Sequence, residues 1–414
     1  MNAAQRIDVA WLKSGGAARV LALLNSGGEE ARVVGGAVRN ALWGLEPGDI
    51  DIATTALPEE VVRRARGAGI RSVPTGIDHG TVTLIVDGQP YEVTTLREDT
   101  ETFGRKARVV FGRDWQRDAA RRDFTINALS ADATGLVFDP VGGLADAALR
   151  RVRFIGDADQ RIAEDYLRIL RFFRIHAAFG IGAVDRESYL ACIRGRDGLS
   201  LLSAERVHNE MVKLLLAPGA VTVAAAMAEG GLLLQLGAGV ACPERLARMI
   251  RIEAELGLAG HPMRRLAALS VAVTEDATRL SARLRLSNAQ TRMLESMGQC
   301  TGALGRKDAA FARQLLYRLG ADAFRDRVLL AWVRAGDDAT SVRWHDLATL
   351  PQRWPVPKFP LRAGDFMRCG MTEGAALGQA LAAAEGAWIA AGFPSDRQQL
   401  EEIRDAAMAA GAAL

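Results

Sequence analysis

Cysteine, lysine and long apolar runs are all scarce in this 414-residue chain, and the scarcity of the first and the last each removes a class of protein. The four cysteines, Cys192, Cys242, Cys300 and Cys369, lie far apart and form no Cys-x-x-Cys pair, so neither a disulfide framework nor a zinc site is favoured. No apolar stretch approaches a membrane span, and the N-terminus lacks the basic-then-apolar plan of a signal peptide. A reducing cytoplasm and no membrane partner are the expectation. Of 52 basic residues only five are lysine (Lys13, Lys106, Lys213, Lys307, Lys358), and the rest are arginine, the better bidentate phosphate ligand. A GC-rich genome produces the same bias, and a net charge of +3 does not announce nucleic acid. Composition alone leaves the partner open.

What is present describes an ordinary soluble protein, 49% hydrophobic and 24% charged, long enough for about two to four domains. In roughly the first 150 residues, β-rich runs alternate with helical ones. Residues 31–34, 49–53, 80–86 and 91–96 read as strands dense in Val, Ile and Thr. Residues 37–45 and 58–67 read as helices, the second with Pro58 suited to a first turn. Residues 97–113 carry charges and glycines without apolar periodicity and read as a mobile loop. From Arg161 onward the spacing is helical to the end, with breaks near Pro218-Gly219, Gly336-Asp337 and Pro351 to Pro360.

Chemistry concentrates in a few places. Asp49 and Asp51 are two positions apart, and in a strand such residues project from one face. Two carboxylates held together repel unless protons or cations intervene, which makes them a candidate divalent-metal pair. Upstream, Gly35-Gly36 marks a strand-to-helix turn whose free N–H groups suit a triphosphate, with Gly36 allowing close approach and Arg39 a bidentate contact one turn in. Glu92, in Tyr91-Glu92-Val93-Thr94, is a candidate third carboxylate. In Arg121-Arg122-Asp123-Phe124-Thr125-Ile126-Asn127-Ala128-Leu129, the apolar residues could seat a helix whose polar face carries Arg122 for a ribose or triphosphate contact. A buried Arg–Asp pair bracing the fold reads equally well there.

The stretch Glu164-Asp165-Tyr166-Leu167-Arg168-Ile169-Leu170-Arg171-Phe172-Phe173-Arg174 repeats a charged residue every third position. Asp165, Arg168, Arg171 and Arg174 would form one polar helical stripe with Leu167, Leu170 and Phe173 behind it. Cytosine and adenine each place an exocyclic amine beside a ring-nitrogen acceptor. A carboxylate and a guanidinium fixed side by side match that edge and mismatch guanine and uracil. Without the upstream motifs, the same spacing describes a helix laced with ion pairs.

Taken in order, Gly35-Gly36-Ala37-Val38-Arg39, Asp49-Ile50-Asp51, His79-Gly80-Thr81-Val82, Arg121 to Leu129, Glu164-Asp165-Tyr166-Leu167-Arg168 and Ser203-Ala204-Glu205-Arg206 resemble the class II tRNA nucleotidyltransferases (CCA-adding enzymes) and their relatives, the bacterial poly(A) polymerases. The resemblance covers roughly residues 30–215 closely and is weaker toward Pro360 to Phe366 and Trp388-Ile389. It implies an α+β fold: a polymerase β-like nucleotidyltransferase head (1–150), then an all-α neck for base recognition (151–217), a body for RNA binding (218–345) and a tail for tRNA binding (346–414). It implies template-independent addition of CCA to tRNA 3′ ends from CTP and ATP, by two-metal nucleotidyl transfer with pyrophosphate release and Mg²⁺ as cofactor. Asp49 and Asp51 would be the metal ligands, Glu92 a further catalytic carboxylate, and Gly36, Arg39 and Arg122 nucleotide contacts. Asp165 and Arg168 would read the base edge, Arg171 and Arg174 would line the pocket, and residues 97–113 would help switch from C to A. Poly(A) synthesis, partial CCA addition and an inactive RNA-binding relative are the alternatives.

Two residues depart from the family pattern: Asn40 replaces an aspartate, and Gly374-Ala375 replaces Gly-Pro. Some relatives append a phosphohydrolase with a His-Asp pair, but His345-Asp346 has no partner cluster among five histidines. Arg245, Arg248, Arg251, Arg264, Arg265, Arg283, Arg285, Arg313 and Arg318 are candidates for phosphate contact with tRNA.

Overall fold

A computed structural model describes residues 5–103, 106–299, 304 and 308–411, so Cys300 and Lys307 lie outside the described residues. The chain divides into two compact units, Met1–Gly239 with Arg283–Arg285 and Val240–Ala282 with Leu286–Leu414.

The first unit begins with helices α1 (Ala10–Lys13) and α2 (Gly16–Leu24), then strand β1 (Ala31–Val34), helix α3 (Gly36–Leu42), β2 (Asp51–Thr54) and α4 (Pro58–Gly67). Strands β3 (Arg71–Gly76), β4 (Thr81–Val86) and β5 (Gln89–Thr95) follow, then β6 (Arg97–Phe103), β7 (Lys106–Phe111), α5 (Trp115–Ala120), β8 (Ser130–Ala131), β9 (Val137–Phe138) and α6 (Gly143–Ala148). The rest is helical: α7 (Ala158–Glu164), α8 (Leu167–Phe179), α9 (Arg186–Arg194), α10 (Ala204–Leu216) and α11 (Ala220–Glu229). Helix α4 shows why the local sequence suffices: Pro58 opens it, Glu59 and Glu60 occupy its first turn, and Arg64 and Arg66 its last. Each charge thereby complements the helix dipole.

Seven strands form one mixed sheet in the order β3-β4-β5-β2-β1-β8-β9. Strand β2 runs antiparallel to β1 and parallel to β5, with Asp51 opposite both Val34 and Glu92. Ser130 pairs with Val34 and Phe138 with Ser130. Because partners and alternate residues share a face, Arg32, Val34, Asp51, Ala53, Glu92, Ser130 and Phe138 all lie on one side of the sheet. The opposite side, carrying Val33, Ile52 and Val93, is buried. Each such aliphatic side chain contributes about 1.5–3 kcal/mol by leaving water. That buried side fixes the register and so decides which residues the other side presents.

Four sequence expectations are corrected. Residues 97–113 are not a loop: β6 and β7 pair as a separate antiparallel ribbon, with Gly104 and Arg105 outside the described residues. The pairing is made by backbone groups, which any residue but proline supplies, so it does not depend on apolar alternation in the sequence. Asp165 is not part of the helical stripe. Helix α7 ends at Glu164, Asp165 is extended (φ −156, ψ 106), and its carboxylate accepts the Leu167 N–H at 3.1 Å where α8 begins. An aspartate that accepts a nearby backbone N–H offers the chain an alternative to continuing the helix. Asp49 precedes β2 in the turn after Gly48 (φ 66), so only Asp51 is a strand residue. The Phe124–Leu129 segment forms a single 3₁₀ turn over Thr125–Asn127.

The second unit is helical among its described residues. Its helices Pro243–Glu255, Pro262–Ser270 and Ala321–Ala335 enclose a charged cluster. Glu253, 1% exposed, accepts from Arg264 at 2.9 Å, Arg265 at 2.8 Å and the His261 amide at 3.1 Å. Asp326 approaches Arg264 at 3.5 Å, and burial pushes its carboxyl up despite that neighbour. Arg264 and Arg265 are thus internal ion-pair partners, not the RNA-facing side chains their sequence suggested. Helices Ala375–Ala390 and Arg397–Gly411 close a smaller core around Phe366, Leu377, Ala384 and Ala407. Ala375 takes the first helical position that a proline would otherwise fill.

Candidate active site

Strand β1 ends at Val34, and the chain turns through Gly35 at φ 74, a left-handed conformation natural to glycine, into α3 at Gly36. The Gly35 N–H is pinned to the Leu129 carbonyl at 2.9 Å, tying this turn to the 3₁₀ segment. Beside it opens a cleft of about 510 Å³, floored by Gly35, Gly36 and the turn from Pro47 to Asp51 and walled by α8. Six arginines line it: Arg39, Arg121, Arg122, Arg168, Arg171 and Arg174. Asp49 and Asp51 stand at its edge and Asp123 within it. A volume of this size suits a nucleotide-sized ligand.

Arg39 is 5% exposed. Its guanidinium donates to Asn127 Oδ1 at 2.5 Å and to Asn40 Oδ1 at 2.9 Å, and it lies 4.0 Å from the Phe179 ring centroid. Burial, with Arg174 and Arg171 nearby and Asp123 opposing them, brings its pKa down to about 10. The Asn40 amide also donates to the Glu46 carbonyl at 2.8 Å, a bond an aspartate could not make. Asp123 is buried, which alone would raise its pKa, but Arg171 at 2.6 Å and the donors Asn127 and Phe124 N–H outweigh this and hold it below the usual carboxylate range. Burial likewise opposes ionisation of Asp118, yet Arg122 at 3.0 Å and Arg121 at 2.6 Å keep it low. Arg174 pairs with Glu210 at 2.5 Å, and Arg168 with Glu164 and the Arg161 carbonyl.

At the edge of the cleft, the surrounding protein, then Glu92 and finally Asp49 raise the Asp51 carboxyl to about 6 against the pull of Arg122. The side chain still reaches solvent, so what opposes its ionisation is local protein mass and like charge together. A divalent cation would relieve that repulsion. Among the described residues no three His, Cys, Asp or Glu side chains form a group able to hold a metal. A hard cation held by one or two carboxylates with waters and substrate phosphates needs no such group.

The structure therefore assembles Gly36, Arg39, Arg122, Arg168, Arg171 and Arg174 around one cleft, with Asp49 and Asp51 at its edge and Glu92 in register beside Asp51. Asp165 is outside the cleft lining: it pairs with Arg206 at 2.6 Å and borders a neighbouring cavity with Ser203. The sequence reading missed Arg121, Ile175 and Phe179 as lining residues. The signal for the last two was available, since 168, 171, 175 and 179 follow one helical face. His79 ends a 3₁₀ turn before β4, and His345 lies on the helix Val342–Ala348.

Comparison with known proteins places this geometry. Residues 31–153 match the poly A polymerase head domain family. The chain is 34% identical over 380 residues to the mouse mitochondrial CCA tRNA nucleotidyltransferase 1, spanning 90% of this chain and 85% of that protein. It is 41% identical over 216 residues to the CCA-adding enzyme of Geobacillus thermodenitrificans, about half of each chain. Among solved structures it resembles the Bacillus stearothermophilus CCA-adding enzyme in complex with CTP, with TM-score 0.75 and 26% identity over 96% of this chain and 98% of that one. No described helix is long and apolar enough to cross a membrane.

Proposed function

Because this chain belongs to the CCA tRNA nucleotidyltransferase family, we propose that it adds C, C and A to tRNA 3′ ends from CTP and ATP without a template. The observation that carries this reading is the cleft itself, lined by six arginines and by Asp49, Asp51 and Asp123. A triphosphate is the ligand whose charge answers that arrangement, and guanidinium forks suit its oxygens. The RNA 3′-oxygen would bond to the α-phosphorus while the bond to the β-phosphate oxygen breaks; the hydroxyl proton is lost and pyrophosphate carries away the electron pair.

Asp49 and Asp51 are our proposed ligands for divalent metal, with Mg²⁺ the ion their all-oxygen donor set suits. Bound there, such ions would activate the attacking hydroxyl and offset charge on the leaving pyrophosphate. Glu92, level with Asp51 on the adjacent strand, is the proposed third carboxylate. Gly36 lets phosphate approach the backbone, Arg39 and Arg122 grip the triphosphate, and Arg171 and Arg174 hold the nucleotide along α8. Arg168 and Asp165 are the proposed readers of the base edge. For this, Asp165 keeps Arg206 on one carboxylate edge while remaining lone pairs meet the base amine. The head and neck proposed for residues 1–150 and 151–217 both fall in the first unit, and the tail from 346 in the second. A cytoplasmic setting, in which Cys192, Cys242 and Cys369 stay as free thiols, completes the reading.

The test is extension of a tRNA ending at its discriminator base, resolved at single-nucleotide steps. CTP alone is expected to add two residues, and CTP with ATP three. A long adenosine ladder on general RNA would replace this reading with poly(A) synthesis, and no extension by any nucleotide would end it.

A further inference from the structure

A second cavity, of about 840 Å³, opens beside the nucleotide cleft. It lies over β1, β8 and β9 on the same side of the sheet as Asp51, by the register of Arg32, Val34, Ser130 and Phe138. The two cavities share Arg122. At its base the Arg32 guanidinium is wedged between aromatic rings, 4.1 Å from the Trp115 centroid and 3.7 Å from that of Phe138. Glu30 locks this stack by accepting from Arg32 at 3.1 Å and from the Trp115 indole N–H at 2.9 Å. Trp115 also packs on Val34, Ala53 and Leu96, so the platform is anchored to the strand that carries Asp51. Arg113 and Arg117, both more than half exposed, flank it.

A rigid aromatic–guanidinium stack with arginines around its rim is the chemistry that holds a single-stranded nucleotide by its base face and phosphates. A nucleotidyl transfer needs such a second site. The triphosphate occupies the arginine cleft, and the attacking strand must reach the carboxylates from elsewhere for an in-line displacement. We infer that this cavity is the docking site for the terminal nucleotides of the RNA acceptor strand, with Trp115 as an aromatic wall and Arg117 as phosphate contact. The inference rests on the proposed function and names the part of the chain that receives the second substrate.

The test uses the full-length protein, an acceptor-stem minihelix ending in CC, and ATP, with the apparent KM of each substrate measured separately. Trp115→Leu keeps apolar cover over Val34 and Ala53 and is expected to raise the minihelix KM about tenfold or more. Arg117→Ala changes an exposed side chain and is expected to raise it about threefold and flatten its salt dependence. In both variants the KM for ATP should stay within about twofold of wild type, since neither residue lines the nucleotide cleft. An unchanged minihelix KM in Arg117→Ala, or a parallel rise in the ATP KM, would overturn the inference. If the wild-type protein extends no minihelix at all, it is the proposed function that fails.

Discussion

In the second unit, Glu253 accepts from two arginines and a backbone amide while Asp326 faces Arg264 from the other side. In the first, Arg39 shares a cleft with Arg171 and Arg174 and donates its own hydrogen bonds to the oxygens of neutral amides. The ingredients are the same, yet one arrangement is enclosed by helices and the other lines a cavity of about 510 Å³. The closed one braces helices; the open one waits for an anion. Counting arginines along the chain does not separate the two cases, and Arg264 and Arg265 were misread for that reason. What separates them is where the pairs sit: Arg264 and Arg265 are enclosed with Glu253, whereas Arg121, Arg122, Arg168, Arg171 and Arg174, each also paired with an acid, line a cavity.

The comparison breaks most visibly at the carboxylates. Asp51→Ala is expected to lower nucleotide transfer by about 10³-fold or more, the scale of losing a preorganised electrostatic group. The melting temperature and tRNA affinity should hold, since the carboxyl is already disfavoured where it sits. Full activity in a single-turnover assay would remove Asp51 from the chemistry. In the closed cluster the pattern should invert. Glu253→Ala leaves two guanidiniums without their acid and is expected to cost about 3–5 kcal/mol in denaturant unfolding. Turnover per folded molecule should be unchanged, and a loss of turnover at full stability would mean that the cluster is no mere brace.

Asp123 sharpens the contrast because it belongs to the cleft but is paired like a brace. Its folded pKa lies below its unfolded value, so its contribution to stability is complete above about pH 4 and disappears as the pH falls through the folded value. Asp123→Asn should therefore narrow the gap between stability at pH 7 and at pH 3, measured by thermal unfolding. It should also weaken CTP and ATP binding severalfold, because Arg171 loses the partner that orients it. An unaltered pH profile would show that the pair contributes nothing to folding.

Much of the first unit was legible because its physics is local. The β-branched runs gave β1, β2, β4 and β5, Pro58 and its neighbours gave α4, and Gly35-Gly36 gave the turn. The three-residue spacing put Arg168, Arg171 and Arg174 on one helix, as found. The missed parts depend on partners distant in sequence or on rules other than apolar period. The edge strand β3 contains Pro74 and Gly76, which the strand pattern penalises, and the β6–β7 ribbon carries too much charge to alternate. Asp165 sits beside Arg206, Arg174 beside Glu210 and Arg171 beside Asp123, and no spacing rule predicts pairs formed across 36 to 48 residues. The register that sets Glu92 level with Asp51 is likewise a property of the sheet, not of either segment.

The depressed pKa of Arg39, with Arg171 and Arg174 as unfavourable neighbours, has a consequence for the protein's persistence as well as its reaction. Arg171 and Arg174, each paired with an acid, still disfavour the charged form of Arg39, and a bound triphosphate would offset that opposition. Nucleotide then behaves as a conformational counterweight, raising stability by about 2.7 kcal/mol when present at a hundred times its dissociation constant. A cell rich in CTP and ATP would keep this chain folded partly through the molecules it consumes, and depletion of the triphosphate pool would shorten its lifetime as it slows its work.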